Sequence, residues 1–177
     1  MNDRVVVGPE TGRLRFVEFS PEYAPDLFRL MTDPDWLRNI GDRGVRSIDD
    51  ARTQIEQKYR PQMREQGFGF FVLVDKASDS MAGMCGLIRR DGLDGIDLGY
   101  ALLPEFRGRG LAVEAASAVL AWGQKQLGLS RVLAIVNPDN AASIAVLERV
   151  GMRFERLIRL PGEQKDLALH AWVAGSP

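Results

Sequence analysis

A chain of 177 residues has the length of one domain. Surface scaling for its mass predicts that about 70% of the extended-chain surface is buried on folding, enough for a core without disulfides or a structural metal. Composition is that of a globular protein, 45% hydrophobic and 27% charged, and 23 Lys+Arg against 24 Asp+Glu leave a formal net charge of −1. That balance excludes a global basic field for nucleic acid or an anionic membrane. Cys85 is the single cysteine and His170 the single histidine, which excludes an intrachain disulfide and leaves too few nitrogen and sulfur ligands for a metal site.

The opening residues lack the basic region and apolar run of a signal peptide, and Phe68–Val74 is far too short to span a bilayer. The expectation is a soluble, cytoplasmic protein with one domain over residues 1–177 and a core at about 13–173. Arg13 to Phe19 reads as a first strand. Ser20-Pro21 then supplies an N-cap and a first-turn proline for a helix carrying Tyr23, Leu27, Leu30 and Met31, which Asp33-Pro34 ends. Residues 33–46 read as a polar connection presenting Trp36 and Ile40. Ser47 and Asp50 resemble a capping box, followed by the apolar stripe Ile48, Ala51, Ile55 and Tyr59 up to Pro61.

Phe68–Val74, Met81–Arg89 and Ile96–Leu103 read as an antiparallel meander. A helix over Leu111–Leu127 follows, with Glu114, Ser117 and Gln124 as its polar stripe and Gly128 as its stop. Arg131–Val136 is a strand, and Asn140 caps a helix that Gly151 ends. Phe154–Leu160 and Lys165–Val173 form a last hairpin around Pro161-Gly162. The order β-α-α-β-β-β-α-β-α-β-β predicts an α/β fold: a mixed sheet with helices on its faces.

The most informative segment runs from Leu98 to Ala112. A strand ends at Pro104, a turn with Gly108 and Gly110 follows, and a helix begins near Arg109. Small residues let backbone N–H groups converge at a helix N-terminus, a concave donor set suited to phosphate or diphosphate, with Arg107 and Arg109 alongside. A plain tight turn is the alternative reading of the glycines alone. A Rossmann fingerprint fails because Val113 holds its third glycine position and Gly128 to Val136 lacks the acidic residue. A P-loop fails for want of Gly-Lys-Ser/Thr.

Arg107-Gly108-Arg109-Gly110-Leu111-Ala112 resembles the Arg/Gln-x-x-Gly-x-Gly/Ala signature of the GNAT superfamily of acyl-CoA-dependent N-acetyltransferases. Leu98-Gly99-Tyr100 and Pro104 match the approach to it, and Asn137 to Met152 resembles the family's second signature. Asn140-x-x-Ser143 and Asp35 to Asp42 resemble the branch typified by ribosomal-protein N-terminal acetyltransferases. The resemblance implies a GNAT-like fold with a splayed central mixed sheet and acetyl-CoA as acyl donor, with no metal. A primary amine, of a protein N-terminus or a small molecule, is the implied acceptor.

Residue by residue, the resemblance implies that Arg107, Gly108, Arg109, Gly110, Leu111 and Ala112 cradle the coenzyme diphosphate. Leu102 and Leu103 are expected to pair with the pantetheine arm like an added strand. Asn140 reads as a helix cap, and the family adds a pantetheine contact. Ser143 sits where the branch places a serine near the thioester sulfur, and Leu147 stands where many members carry a proton-donating tyrosine, so Ser143 is the candidate acid. Asp97 is the candidate base, on the strand face shared with Gly99 and Ala101. Trp36 is a candidate acceptor contact, or a packing residue. His170 and Cys85 read as packed side chains. A non-catalytic acyl-CoA-binding regulatory module on the same fold is the alternative function, and a homodimer through the C-terminal strands is compatible with the sequence.

Overall fold

The β-branched and aromatic runs form the strands of a computed structural model that describes residues 5–177. β1 (Leu14–Glu18), β2 (Phe70–Asp75), β3 (Ser80–Arg89), β4 (Ile96–Leu102), β5 (Arg131–Val136), β6 (Arg153–Ile158) and β7 (Leu167–Val173) build one seven-stranded sheet, ordered β1-β2-β3-β4-β5-β7-β6. All neighbours are antiparallel except β4 and β5, which run parallel and share the single register pair Asp97–Leu133. Past that pair β4 continues to Leu102 and β5 to Val136 without pairing. The sheet is therefore mixed, as the order of elements predicts, and splayed, as the resemblance implies.

Alternation along each strand sorts side chains between two helical layers. Phe71, Leu87 and Leu98 face the long helix α5 (Leu111–Leu127), whose Trp122 meets Phe71 edge-on at 5.5 Å. α6 (Ala141–Arg149) follows β5 and buries Leu147. On the opposite face Phe70 meets Tyr59 at 5.8 Å, and Tyr59 stacks on Phe19 at 4.9 Å. This second layer holds α1 (Ala24–Met31), α2 (Pro34–Asn39), α3 (Ile48–Gln54) and α4 (Arg60–Gln66).

Local chemistry departs from the sequence reading at four places. Ser20 does not cap: its Oγ donates to Glu22 at 2.6 Å, Pro21 opens a 3-10 turn, and α1 starts at Ala24. The polar connection contains α2, because the Asp33 carboxylate accepts from Asp35 N at 3.1 Å and Pro34 occupies the first turn, so the pair starts a helix as well as ending one. Ser47 caps α3 through Asp50 N at 3.0 Å, but the Asp50 carboxylate returns to Arg46 N at 2.8 Å, one residue before the cap. Pro61 does not end the helical path. The turn at Ile55–Tyr59 widens to π geometry, Arg60 N donates to Ile55 O, and α4 carries on. A wide turn accommodates a proline ring that has no N–H to give.

Candidate active site

The segment between β4 and α5 builds a concave row of donors. Gly108 (φ 71°) and Gly110 (φ 77°) both take left-handed backbone, and Gly110 is the N-cap of α5. Its C=O accepts from Glu114 N at 3.1 Å, while the first N–H groups of the helix, from Leu111 and Ala112, have no partner in the preceding turn and point outward. Arg109 lies over the Phe106 ring at 5.6 Å, is 45% exposed, and has Asp75 4.0 Å from its guanidinium, so donors remain for an anion. The cradle opens beside a cavity of about 690 Å³ whose lining includes Asp75, Ser78, Glu105, Phe106 and Arg109.

Arg13 is a cradle residue that motif spacing did not single out. Its Nη1 donates to Arg109 O at 2.8 Å and its Nε to Glu114 at 2.7 Å, and a side chain added at Gly110 would stand 3.5 Å from its Nη2. Glu114, expected on a polar stripe, is in fact the anchor of this contact. Burial pushes its carboxyl up, but bonds from Thr11 Oγ1 and from Arg13 outweigh that and hold it below the usual glutamate range.

Two of the expected coenzyme contacts change. Arg107 is not a free phosphate ligand: Nε donates to Leu102 O at 3.1 Å, Nη1 to Asp35 at 2.8 Å, Nη2 to Asp33 at 2.7 Å, and its own N–H to Pro104 O at 3.2 Å. It straps the end of β4 to the start of α2. Replacing Arg107 by Leu leaves Asp33, only 11% exposed on its side chain, without its ion pair. The expected loss is about 2 kcal/mol in chemical denaturation, between that of exposed and buried pairs; an unchanged midpoint would contradict the strap. Leu103 is also withdrawn from the gap. Its N–H donates to Ala82 O at 2.8 Å and its C=O accepts from Phe106 N at 3.0 Å. Since backbone groups alternate sides along a strand, the Leu103 bond to β3 aims the N–H of Leu102 the other way, into the β4–β5 gap.

On the α5/α6 side of that gap, Asn140 caps α6 as expected, its Oδ1 accepting from Ser143 N at 3.2 Å, while its NH₂ has no partner among the described residues. Ser143 Oγ stands 2.6 Å from Tyr100 Oη, whose single proton serves either that oxygen or Ser143 O at 3.1 Å. Tyr100 reaches across from β4, and burial pushes its phenol to about 12. The sequence showed Tyr100 only as part of the approach to the glycines; its pairing with a residue 43 positions away is a product of the splay. Leu147 is buried and has no ionisable proton to donate.

Asp97 occupies the opposite face, at the point where β4 and β5 part. It is 1% exposed; Oδ2 accepts from Arg90 Nε at 2.8 Å, and Oδ1 has no partner among the described residues. Burial raises the carboxyl to about 6 despite the Arg90 charge. Trp36 does not offer a contact surface: it is 6% exposed, packs in the core, and its indole N–H closes the loop onto Gly41 O at 3.1 Å. Cys85 is fully buried, with its thiol pushed up by desolvation. His170 is 2% exposed, edge-on to Phe154 at 5.7 Å. Among the described residues no group of three or more His, Cys, Asp or Glu is placed to hold a metal ion, and no helix is long and apolar enough to cross a membrane.

This architecture is shared. The chain is 26% identical over 145 residues to YnaD of Bacillus subtilis, an uncharacterized N-acetyltransferase, covering 82% of each protein. A GNAT-family acetyltransferase from Bacillus anthracis superposes with a TM-score of 0.78 at 24% identity, over 93% of this chain and 97% of that one. The spermidine N-acetyltransferase of Vibrio cholerae, solved with CoA and spermine, superposes with a TM-score of 0.74 at 17% identity, over 92% and 96%. Residues 13–153 match the family model of the acetyltransferase (GNAT) domain. With four-fifths of its length matched to that model, the chain belongs to the GNAT family of acetyltransferases.

Proposed function

We propose that the protein transfers the acetyl group of acetyl-CoA directly to a primary amine within a ternary complex. The observation that carries this reading is the gap after Asp97–Leu133, which lies in front of the glycine cradle and has the Tyr100–Ser143 hydroxyl pair on one face and Asp97 on the other. The N–H groups of Gly108 to Ala112, with Arg109 and Arg13, bind the diphosphate. Leu102 N–H and the NH₂ of Asn140 serve the amides of pantetheine, and Leu102 N–H or its neighbour Tyr100 N–H meets the oxyanion developing on the acetyl carbonyl.

In this reading the amine enters from the Asp97 face. Asp97, ionised above about pH 6, accepts the amine's proton through water. The nitrogen–carbon bond forms, the carbon–sulfur bond breaks, and the departing thiolate takes a proton from Ser143, which Tyr100 replenishes. A hydroxyl that receives a hydrogen bond from a second hydroxyl is a better donor than serine alone.

The test is amine-dependent release of free thiol from acetyl-CoA. Transfer to an amine supports the reading; acetyl-CoA bound without release to any amine supports the regulatory module instead. In parallel, Gly110→Val forces a β-branched residue into φ 77° beside Arg13, and acetyl-CoA affinity is expected to fall at least tenfold by calorimetry. Unchanged affinity would remove the cradle from the reading.

A further inference from the structure

Arg90 follows directly on β3 and is, among the described residues, the one cation within 4.0 Å of Asp97. A tight turn fixes its place. Leu93 N donates to Arg90 O at 3.2 Å, and Gly92 between them takes φ 86°, left-handed backbone that a residue with a Cβ rarely adopts. The turn rests on the connection between β6 and β7: a Cβ at Gly92 would stand 2.4 Å from Pro161 Cδ and 3.5 Å from Leu160 Cδ2. From this seat the Arg90 side chain, 27% exposed, returns to the sheet, where Nε donates to Asp97 Oδ2 at 2.8 Å.

The rest of the surroundings supply no second charge. The register partners of Asp97, Ile88 on β3 and Leu133 on β5, are apolar and buried. The helical layer reaches this face two residues further along β4, where Phe70 covers Gly99 and meets Tyr59. Its titratable groups there are Tyr59, whose buried phenol is pushed up to about 12, and Lys58, 6.0 Å from the Tyr59 ring. Neither lies among the hydrogen-bond partners of Asp97, whose Oδ1 stays buried without a partner among the described residues. A buried acceptor is unfavourable until a donor arrives, and a cation at the other oxygen favours the charged form that burial opposes.

We propose that Arg90 is a positioning residue of the transfer: by holding Oδ2 it fixes the carboxylate and leaves Oδ1 as the oxygen that takes the amine's proton through water. The inference rests on the transferase reading and adds the group that keeps its base oriented and ionised. Without Arg90 the carboxyl is desolvated and has no counter-charge, so it holds its proton to higher pH.

The experiment titrates Asp97 by carbon NMR in protein isotopically labelled at aspartate Cγ, its resonance identified by its loss in Asp97→Asn. Alongside, thiol release from acetyl-CoA is followed against pH with the fastest of spermidine, phenylethylamine and a peptide with a free alanine N-terminus. In the parent, the carboxyl midpoint and the acidic limb of kcat/KM are expected near pH 6. Arg90→Gln is expected to raise both by about one pH unit or more and to lower kcat at pH 7 about tenfold, with the KM for acetyl-CoA unchanged. Arg90→Lys keeps the charge and is expected to hold both within about half a unit of the parent; it decides by itself if Arg90→Gln does not fold. Arg90→Gln combined with Asp97→Asn is expected to be no slower than Asp97→Asn alone. A midpoint and limb that stay in place in Arg90→Gln, a displacement of a full unit in Arg90→Lys, or a slower double variant overturns the inference and leaves the transferase reading standing. Failure of every amine to release thiol with the parent overturns both.

Discussion

Asp97→Asn is expected to lower kcat by about 10²-fold or more, the contribution of a positioned base, and at the same time to stabilise the protein above pH 6. Both effects follow from one buried carboxyl. Its pKa moves from 3.8 to about 6 on folding, so the folded state holds the proton more tightly than the unfolded chain. A raised pKa gives stability that is fully present below the unfolded value and is lost as pH rises through the folded one. At pH 8 the ionised carboxylate costs about 3 kcal/mol relative to solvent. The asparagine has no charge to desolvate, so a gain of about 1–3 kcal/mol at pH 8 is expected, shrinking below pH 6 and gone near pH 4. The pH profile of kcat/KM in the parent is expected to show an acidic limb near 6 that the variant lacks. Thermal denaturation at pH 5 and 8, with a pH–rate series, checks all three. Unchanged turnover, or a loss of stability at pH 8, would falsify the assignment of Asp97 as a buried base.

The second large effect belongs to the hydroxyl pair. Ser143→Ala removes the group next to the sulfur position, and Tyr100→Phe removes the proton behind it; each is expected to cost 10-fold to 100-fold in kcat, of the order of general acid catalysis. The double variant is expected to be no slower than the slower single, since residues acting as one unit are not additive. Acetyl-CoA affinity should change less than threefold, because the cap bond from Asn140 goes to the Ser143 backbone N–H and survives both changes. Additive losses would mean two separate roles, and full turnover in Ser143→Ala would take the pair out of the chemistry. With the Tyr100 phenol at about 12, this pair introduces no alkaline limb below pH 10.

Much of the site was legible because its parts are local. Gly108 and Gly110 sit within one turn of the helix they cap, and Asn140 lies three residues before the amide it bonds, so spacing alone exposes them. The residues that were misassigned fail for one shared reason. Arg107 reads as a phosphate ligand from its place beside the glycines, but Asp33 and Asp35, more than 70 residues away, claim its guanidinium. Trp36 reads as a contact surface until the core covers it. Tyr100 shows nothing in its own neighbourhood to mark it, since the Ser143 hydroxyl meets it only where two strands diverge.

The amino-acid order by itself determined the alternation of strands and helices, the bounds of α5 and β5, the family signature and the glycine turn that precedes α5. These depend on periodicity, caps and glycine backbone freedom, which act over a few residues. Only the tertiary structure decided that Tyr100 meets Ser143, that Leu102 rather than Leu103 faces the gap, and that Asp33 and Asp35 claim the Arg107 guanidinium. Those outcomes depend on register and on the single pair at which β4 and β5 part, and register is set by packing between segments far apart in the chain.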